Sequence, residues 1–422
     1  METVANKAES PFREVPYMGV IWVVAEAMKL GFYNGHPDWA NLGQGQPEIG
    51  EMEGAPPRLN QINLEPGDHA YGHLGGNDAL RSCVAAHYNR LYRQDKDVQY
   101  TADNVSLGMG GRLCLTRVFA ALKNGRLGYQ NPDYTAYEDM FNYHAHRLEP
   151  VLVPTFEEDG FGIPGDRIKD VLTTHQLDSF VLSNPCNPTG NYIRGREMQQ
   201  YVNAFRETGT CFISDEFYSH FLYEYDKPGA GPASAAQYVE DVNEDPVIII
   251  DGLTKSYRYP GWRIGWTVGP KRLIDTLNRA ASAIDGGPSQ PMQRAACEIL
   301  EPSRADQETD ALRKVFSRKK NIMLEKLTNM GIKFSPEPTG TFYVWANISE
   351  LPTPINTALD FFTEALKRKV MTVPGYFFDI DPKKERKGNS PFNQWIRFSF
   401  GPPEENMVAG LERLEEMVCS FR

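Results

Sequence analysis

What this chain lacks narrows its class before any motif is read. It has no CxxC pair: Cys83, Cys114, Cys186, Cys211, Cys297 and Cys419 are scattered. Neither a zinc site nor a disulfide framework is indicated, and a reducing, cytoplasmic setting is expected. Its apolar runs, such as 247–250, are of strand length, whereas a membrane-spanning helix needs about 20 apolar residues in a row. The opening METVANKAESPFREVPYMG has no basic stretch followed by an apolar core, so it does not read as a secretory signal. Basic charge is also short, with 44 Lys and Arg against 55 Asp and Glu and a net charge of −11. A general nucleic-acid binder needs the opposite balance. There is no internal repeat and no low-complexity tract.

What is there is ordinary in bulk. Apolar residues at 41% and charged residues at 23% are globular values and exclude disordered and fibrous classes. At 422 residues the chain exceeds one compact core and suggests a large domain with a smaller partner.

The pattern along the chain gives the fold class. Residues 14–30 predict a helix, and the Gly/Pro-rich loop NLGQGQPEIG follows at 41–50. A second helix is predicted from 78 to 93. Thereafter short apolar runs alternate with helical stretches: NVSLG then RLCLTRVFAAL, GRLGYQ then TAYEDMFNYHA, and later SFVLS, TCFIS and VIIIDG. This alternation predicts an α/β fold with a mainly parallel central sheet and helices on both faces. Beyond about residue 300 the character changes. A long charged helix, the run TFYVWANIS, a helix at 356–368, the run QWIRFSFG and a final helix predict a smaller α+β domain.

Ligands of such sheets sit at the carboxyl ends of the strands, so the polar residues closing each apolar run carry the chemistry. Four clusters stand there: GMGGR at 108–112, SNPCNPTG at 183–190, SDEFY at 214–218 and GLTKSYRYPGWR at 252–263. Singly, each has a plain structural reading as a turn, an Asx loop, a helix cap or a solvated lysine. Their joint order is specific. NPTG, then D-E-x-Y, then K followed by GWRIG resembles the class I/II aminotransferases, pyridoxal-phosphate-dependent fold type I enzymes related to aspartate and kynurenine aminotransferases. The resemblance runs from about residue 41 to residue 400.

The resemblance implies a cofactor, pyridoxal 5'-phosphate (PLP), held as a Schiff base on Lys255, whose amine also serves as base at the substrate Cα. Asp215 matches the carboxylate that keeps the pyridine nitrogen protonated. Tyr218 and Asn187 match the pair on the ring's phenolic oxygen. Gly110, Gly111 and Arg112 form a turn into a helix whose backbone N–H groups suit a phosphate, and Arg263 matches the family arginine on that phosphate. Tyr134 matches the aromatic residue on the pyridine face, or is an ordinary packed tyrosine. Tyr71, in HAYGHLGG, matches a tyrosine that reaches the phosphate of a neighbouring subunit, which implies a homodimer; a plain loop tyrosine is the alternative. Arg397 matches the arginine that grips the substrate α-carboxylate. Gly45 matches the glycine that approaches the same group, and Gly43 shapes the turn. By the same resemblance, residues 1–60 form an N-terminal segment packing with the small domain, 61–300 the large PLP-binding domain and 301–422 the small C-terminal domain.

Some positions depart from the family pattern. Many members carry Ser or Thr three residues before the lysine, where this chain has Gly252, with Thr254 beside the lysine; phosphate binding then leans on Arg112 and Arg263. Arg258, in SYRYP, has no assigned role and is expected at the surface. Asp285, in AIDGGPSQP, falls near the position of an arginine that reads distal carboxylates across the dimer in dicarboxylate enzymes. It therefore either disfavours acidic substrates or caps the turn before Gly286. The implied reaction moves an amino group between an α-amino acid and a 2-oxo acid. The alternatives on the same residues are elimination or replacement at Cβ or Cγ, a cyclising lyase reaction and amino-acid oxidation. A non-catalytic PLP-binding sensor is disfavoured because no DNA-binding module accompanies the domain.

Overall fold

The computed structural model describes residue 12 and residues 15–223, 231–334 and 336–422. The reading of residues 1–19 as lacking a secretory signal falls largely outside them. Among the described residues thirteen strands are formed: β1 (Ala40–Asn41), β2 (Val105–Gly108), β3 (Gly125–Asn131), β4 (Leu148–Pro154), β5 (Ser179–Ser183), β6 (Cys211–Asp215), β7 (Val247–Gly252), β8 (Gly265–Val268), β9 (Lys333–Phe334), β10 (Tyr343–Asn347), β11 (Val370–Met371), β12 (Val373–Pro374) and β13 (Trp395–Ser399).

The VIIIDG run forms β7, which is buried along its whole length, as a strand covered on both faces must be. Its side chains alternate between two cores. Ile248 and Ile250 meet Val181, Ile213 and Leu115 on one face, while Val247 and Ile249 meet Phe180, Phe212 and Tyr201 on the other. Each face is closed by helices with one apolar side. The helix Gly195–Thr208 buries Met198, Tyr201, Val202 and Phe205, the spacing of a single helical face, and Phe205 stacks on Phe212 at 4.5 Å. The helix Lys271–Ile284 likewise buries Ile274, Leu277 and Ala281.

The resulting seven-stranded sheet has the order β2-β8-β7-β6-β5-β3-β4. Its pairs are parallel except at β8, which runs antiparallel to both β2 and β7. The expected mainly parallel α/β architecture is therefore present. Edge strand β4 is partly exposed and contains Pro150 and Pro154, residues that an edge tolerates.

A 28-residue helix, Pro302–Asn329, leads out of this layer. It starts on a proline, and the Glu301 carboxylate accepts the Arg304 N–H at 3.0 Å, a capped N-terminus. Beyond it lies an antiparallel sheet of order β12-β13-β10-β9, with helices Ala358–Lys367 and Glu404–Phe421. The N-terminal region joins this second layer. β1 pairs in parallel with β11, and Trp22 packs on Phe362 and Phe377 at 4.9 and 5.2 Å. The helix expected over 14–30 spans only Gly19–Lys29, with Met18 before it in extended backbone.

One expectation is corrected and one open alternative is decided. Arg258 is fully buried, not at the surface. Its Nε lies 2.5 Å from Glu308 Oε1, and its Nη1 donates to the carbonyls of Glu48 and Gly50 at 3.2 and 2.8 Å. A loop arginine reads as solvated until a carboxylate fifty residues away is folded against it. Asp285 does not face a substrate pocket. Its carboxylate accepts from Arg117 Nη2 and Nε at 2.6 and 3.1 Å and from the Gly287 N–H at 3.2 Å, and both partners of the ion pair are buried. The turn-capping alternative holds.

Removing one partner of a buried pair leaves the other charge without compensation. Asp285→Ala is expected to destabilise the protein by about 3 kcal/mol, read as a lower urea midpoint. The double variant Arg117→Met with Asp285→Leu should recover most of that loss, and equal midpoints for the single variant and the parent would contradict the assignment.

Candidate active site

The parallel strands end at one edge of the large sheet, and their closing residues meet there. Ser183 at the end of β5 is in register with Asp215 at the end of β6. β7 ends at Gly252, three residues before Lys255. Because β8 is antiparallel, it begins at this same edge, which places Arg263 beside the others. β2 ends at Gly108, just ahead of the helix Gly111–Ala121 that carries Arg112. The second sheet closes the site from above with Arg397 on β13 and Tyr343 on β10.

These residues line a cavity of about 1090 Å³. Gly45, Gly111, Arg112, Tyr134, Asn187, Asp215, Tyr218, Lys255, Arg263 and Arg397 are all in its wall. Gly110 lies just behind it, with φ +82°, and a Cβ there would sit 2.4 Å from Arg263 Nη2. Only glycine combines that backbone conformation with so close an approach.

The Lys255 amine donates to the Gly45 carbonyl. Burial, followed by the positive fields of Arg397, Arg112 and Arg263, lowers its pKa to about 7. Asp215 is buried, accepts the Tyr137 hydroxyl at 2.9 Å and has a pKa raised to about 6 by burial. Tyr218 and Tyr343 share a hydrogen bond of 2.9 Å between their hydroxyls. Arg112 Nε donates to the Tyr134 hydroxyl at 3.1 Å. Arg263 Nη1 donates to the Pro260 carbonyl at 3.0 Å.

Arg397 is the most constrained of these groups. It is 2% exposed, donates from Nη1 to Asn187 Oδ1 at 2.9 Å and from Nη2 to the Gly43 carbonyl at 2.8 Å. Its Nε is buried without a hydrogen-bond partner. Among the described residues no carboxylate pairs with it.

With this geometry in hand, comparison with known proteins is direct. Residues 37–414 match the family model for aminotransferase class I and II. The chain belongs to that family. It is 24% identical over 387 residues to an aspartate aminotransferase of Pyrococcus abyssi, covering 91% of this chain and 92% of the relative. It is 26% identical over 387 residues to an aspartate/prephenate aminotransferase of Thermus thermophilus, with 90% and 91% covered. Among solved structures it is similar to the Thermus thermophilus aspartate aminotransferase with maleate, at a TM-score of 0.77, 24% identity and coverage of 96% and 97%. That last likeness concerns the fold. The family is PLP-dependent.

The residues of this aminotransferase fit the cofactor. An amine held near neutrality can join a carbonyl. Two arginines and the start of the helix at Gly111 suit a phosphate. A buried carboxylate beyond them suits a cationic ring nitrogen. The unpartnered Nε of Arg397 calls for a further anion. Gly252, where many members have a hydroxyl residue, is explained by packing. A Cβ there would lie 2.6 Å from the Ile264 carbonyl and 2.7 Å from Gly265 Cα, so the close approach of β7 to β8 admits no side chain. Thr254, two residues on, lines the cavity.

Tyr71 alone lies away from the cavity, and it is fully exposed. Sequence reading missed Tyr137, Tyr343, Ser183 and Phe378. Tyr137 had a weak signal, three residues after Tyr134 at a helix start. Tyr343 had none, because a tyrosine within TFYVWAN looks like strand core.

The lowered pKa of Lys255 can be measured on cofactor-stripped protein. As pH rises through about 7 the amine loses its proton, whereas ordinary lysines do so near about 10.4. Carbamoylation by cyanate, followed by peptide mass spectrometry, should therefore give a midpoint near neutrality at Lys255, well below that of the exposed lysines. A midpoint above pH 9 would contradict the cause assigned here.

Proposed function

We propose that Lys255 and Arg397 are the paired centre of a transamination, one reacting with the amine and the other holding the carboxylate of the same α-amino acid. The observation carrying this reading is a buried guanidinium without a carboxylate partner in one cavity with a near-neutral amine. When bound, PLP supplies a carbonyl carbon that links to amines and a ring that draws electron density from the substrate Cα. Lys255 would hold it and, displaced by substrate, take the Cα proton and return it to the cofactor's carbonyl-derived carbon, two atoms from Cα across the amino nitrogen. Arg112 and Arg263, with the Gly110–Gly111 backbone, would hold the phosphate. Asp215 would face the ring nitrogen, its charged form favoured by the Tyr137 hydroxyl. Tyr218 and Asn187 would face the ring oxygen, Asn187 through its NH2 end because its carbonyl is on Arg397. Tyr134 would cover one ring face. Gly45 would lie against the substrate carboxylate.

The side-chain class of the substrate follows from the wall. Val20, Ile21, Phe32, Trp39 and Ile49 line the cavity, and its described cationic residues are Lys255, Arg112, Arg263 and Arg397, all engaged above. We therefore infer a neutral, largely apolar amino acid as donor, with no cation of this chain left for a second carboxylate.

Single-turnover mixing with individual amino acids tests both points. The expected products are one keto acid per site without released ammonia, with leucine, methionine or phenylalanine faster than aspartate by about tenfold or more. Ammonia or thiol release would favour elimination, and a preference for aspartate would sink the inferred side-chain class. Lys255→Ala should lose turnover by at least about a thousandfold.

The working unit is proposed to be a homodimer in the cytoplasm. Of the fifteen large apolar side chains exposed among the described residues, ten lie within residues 12–71, and Tyr71 is the most exposed of them. Such a concentration suits burial against a second copy. The six unpaired cysteines suit a reducing compartment, and among the described residues no helix is long and apolar enough to cross a membrane. Sedimentation from a clarified lysate should give about twice the 47.6 kDa chain mass. A single-chain mass would overturn the dimer, and recovery only from a secreted or envelope fraction would overturn the compartment.

A further inference from the structure

Tyr343 touches both ends of the site without belonging to any of the motif clusters. It stands on β10 opposite Ser399, so Arg397 is its diagonal neighbour on the same face, within reach of an aromatic ring. The Arg397 guanidinium lies 4.0 Å from the centre of the Tyr343 ring. At the far end of the ring, the hydroxyl meets the Tyr218 hydroxyl at 2.9 Å. The same oxygen lies 3.9 Å from where a Cβ on Gly45 would be, beside the carbonyl that accepts from Lys255. The residue is wholly buried, and its ring packs on Phe342 at 4.6 Å and edge-on to Tyr218 at 5.6 Å. Its orientation is therefore set by its surroundings.

We propose that Tyr343 is a positioning residue that joins the two halves of the reaction centre, its hydroxyl orienting Tyr218 and its ring face supporting Arg397. The inference rests on the transamination reading given above. Its physical content lies in two separable contacts. A hydroxyl can accept one hydrogen bond while donating another, so Tyr343 holds the Tyr218 oxygen at one point and leaves the remaining direction aimed into the cavity. A flat aromatic face under a buried guanidinium attracts it and fixes its plane, and that plane determines whether a carboxylate is met by two parallel N–H groups. One side chain thus ties a strand of the second sheet to the loop after β6.

The two contacts can be removed one at a time in the holoenzyme. Tyr343→Phe keeps the ring and its volume and deletes only the hydroxyl. It is expected to lower kcat about tenfold and to shift the visible absorbance band of the bound cofactor. KM, and the calorimetric Kd of the unreactive monocarboxylate 4-methylvalerate, should stay within twofold of wild type. Tyr343→Met deletes the flat face as well, and should additionally weaken the 4-methylvalerate Kd about tenfold or more. Wild-type kcat and an unmoved band in Tyr343→Phe would overturn the hydroxyl's role. An unchanged Kd in folded Tyr343→Met would overturn the ring's role, and a general loss of every readout in Tyr343→Phe would reduce Tyr343 to packing. Absence of transamination by the wild-type holoenzyme would defeat the functional reading instead, while the absorbance band and the Kd would still decide the role of Tyr343.

Discussion

Four cationic groups, Lys255, Arg112, Arg263 and Arg397, face a cavity in which Asp215 is the single carboxylate among the described residues of the wall. Like charges held close together repel one another, and the buried Arg397 also loses solvation, so nothing in folding favours this arrangement for its own sake. The repulsion is visible in Lys255, whose proton is loosened by the three guanidinium groups after burial. Much of the compensation comes from backbone carbonyls. Gly43 receives Arg397, Gly45 receives Lys255, and Met109 and Pro260 receive Arg263. Neutral dipoles solvate a cation without neutralising it, so the site keeps its appetite for anions. A phosphate and a substrate carboxylate are the two anions that the family's chemistry brings.

Rigidity follows from the same constraint. Each cation is anchored in or within three residues of a different regular element: a helix start after β2, the end of β7, the start of β8, and the centre of β13. The reversal of β8 is what brings Arg263 to the carboxyl edge, and the glycines at 252 and 265 let β8 approach its neighbours closely enough. Across the cavity, β1 is stitched to β11. That pairing helps to deliver the Gly43 carbonyl to Arg397, more than three hundred residues later in the chain, and the Gly45 carbonyl to Lys255 in the loop after β7.

Much of this could be read in the linear chain. Strand-length apolar runs between amphipathic stretches announce a parallel layer, because buried strands need no polar face. The residues closing those runs announce themselves, and ten of the twelve site residues that the sequence points to line one cavity. The sequence puts Arg258 at the surface and leaves Asp285 with two readings, for a shared reason. Each is a charged residue in a loop, and its burial depends on a partner, Glu308 or Arg117, that is distant in sequence. Nothing local distinguishes such a residue from a solvated one.

Chemistry that depends on residue type and short spacing was thus present in the sequence: the amine at 255, the carboxylate at 215, the glycine turn into a helix at 110–112 and the arginine at 397. Folding supplied what depends on distance. It placed the Tyr343 ring beneath Arg397 and its hydroxyl on Tyr218, put Tyr137 on Asp215, and lined the cavity with apolar side chains from residues 20–49. The physical reason is that a motif encodes local geometry through a few adjacent dihedral angles. A cross-sheet contact is encoded only by the packing of the whole core, which no short segment contains.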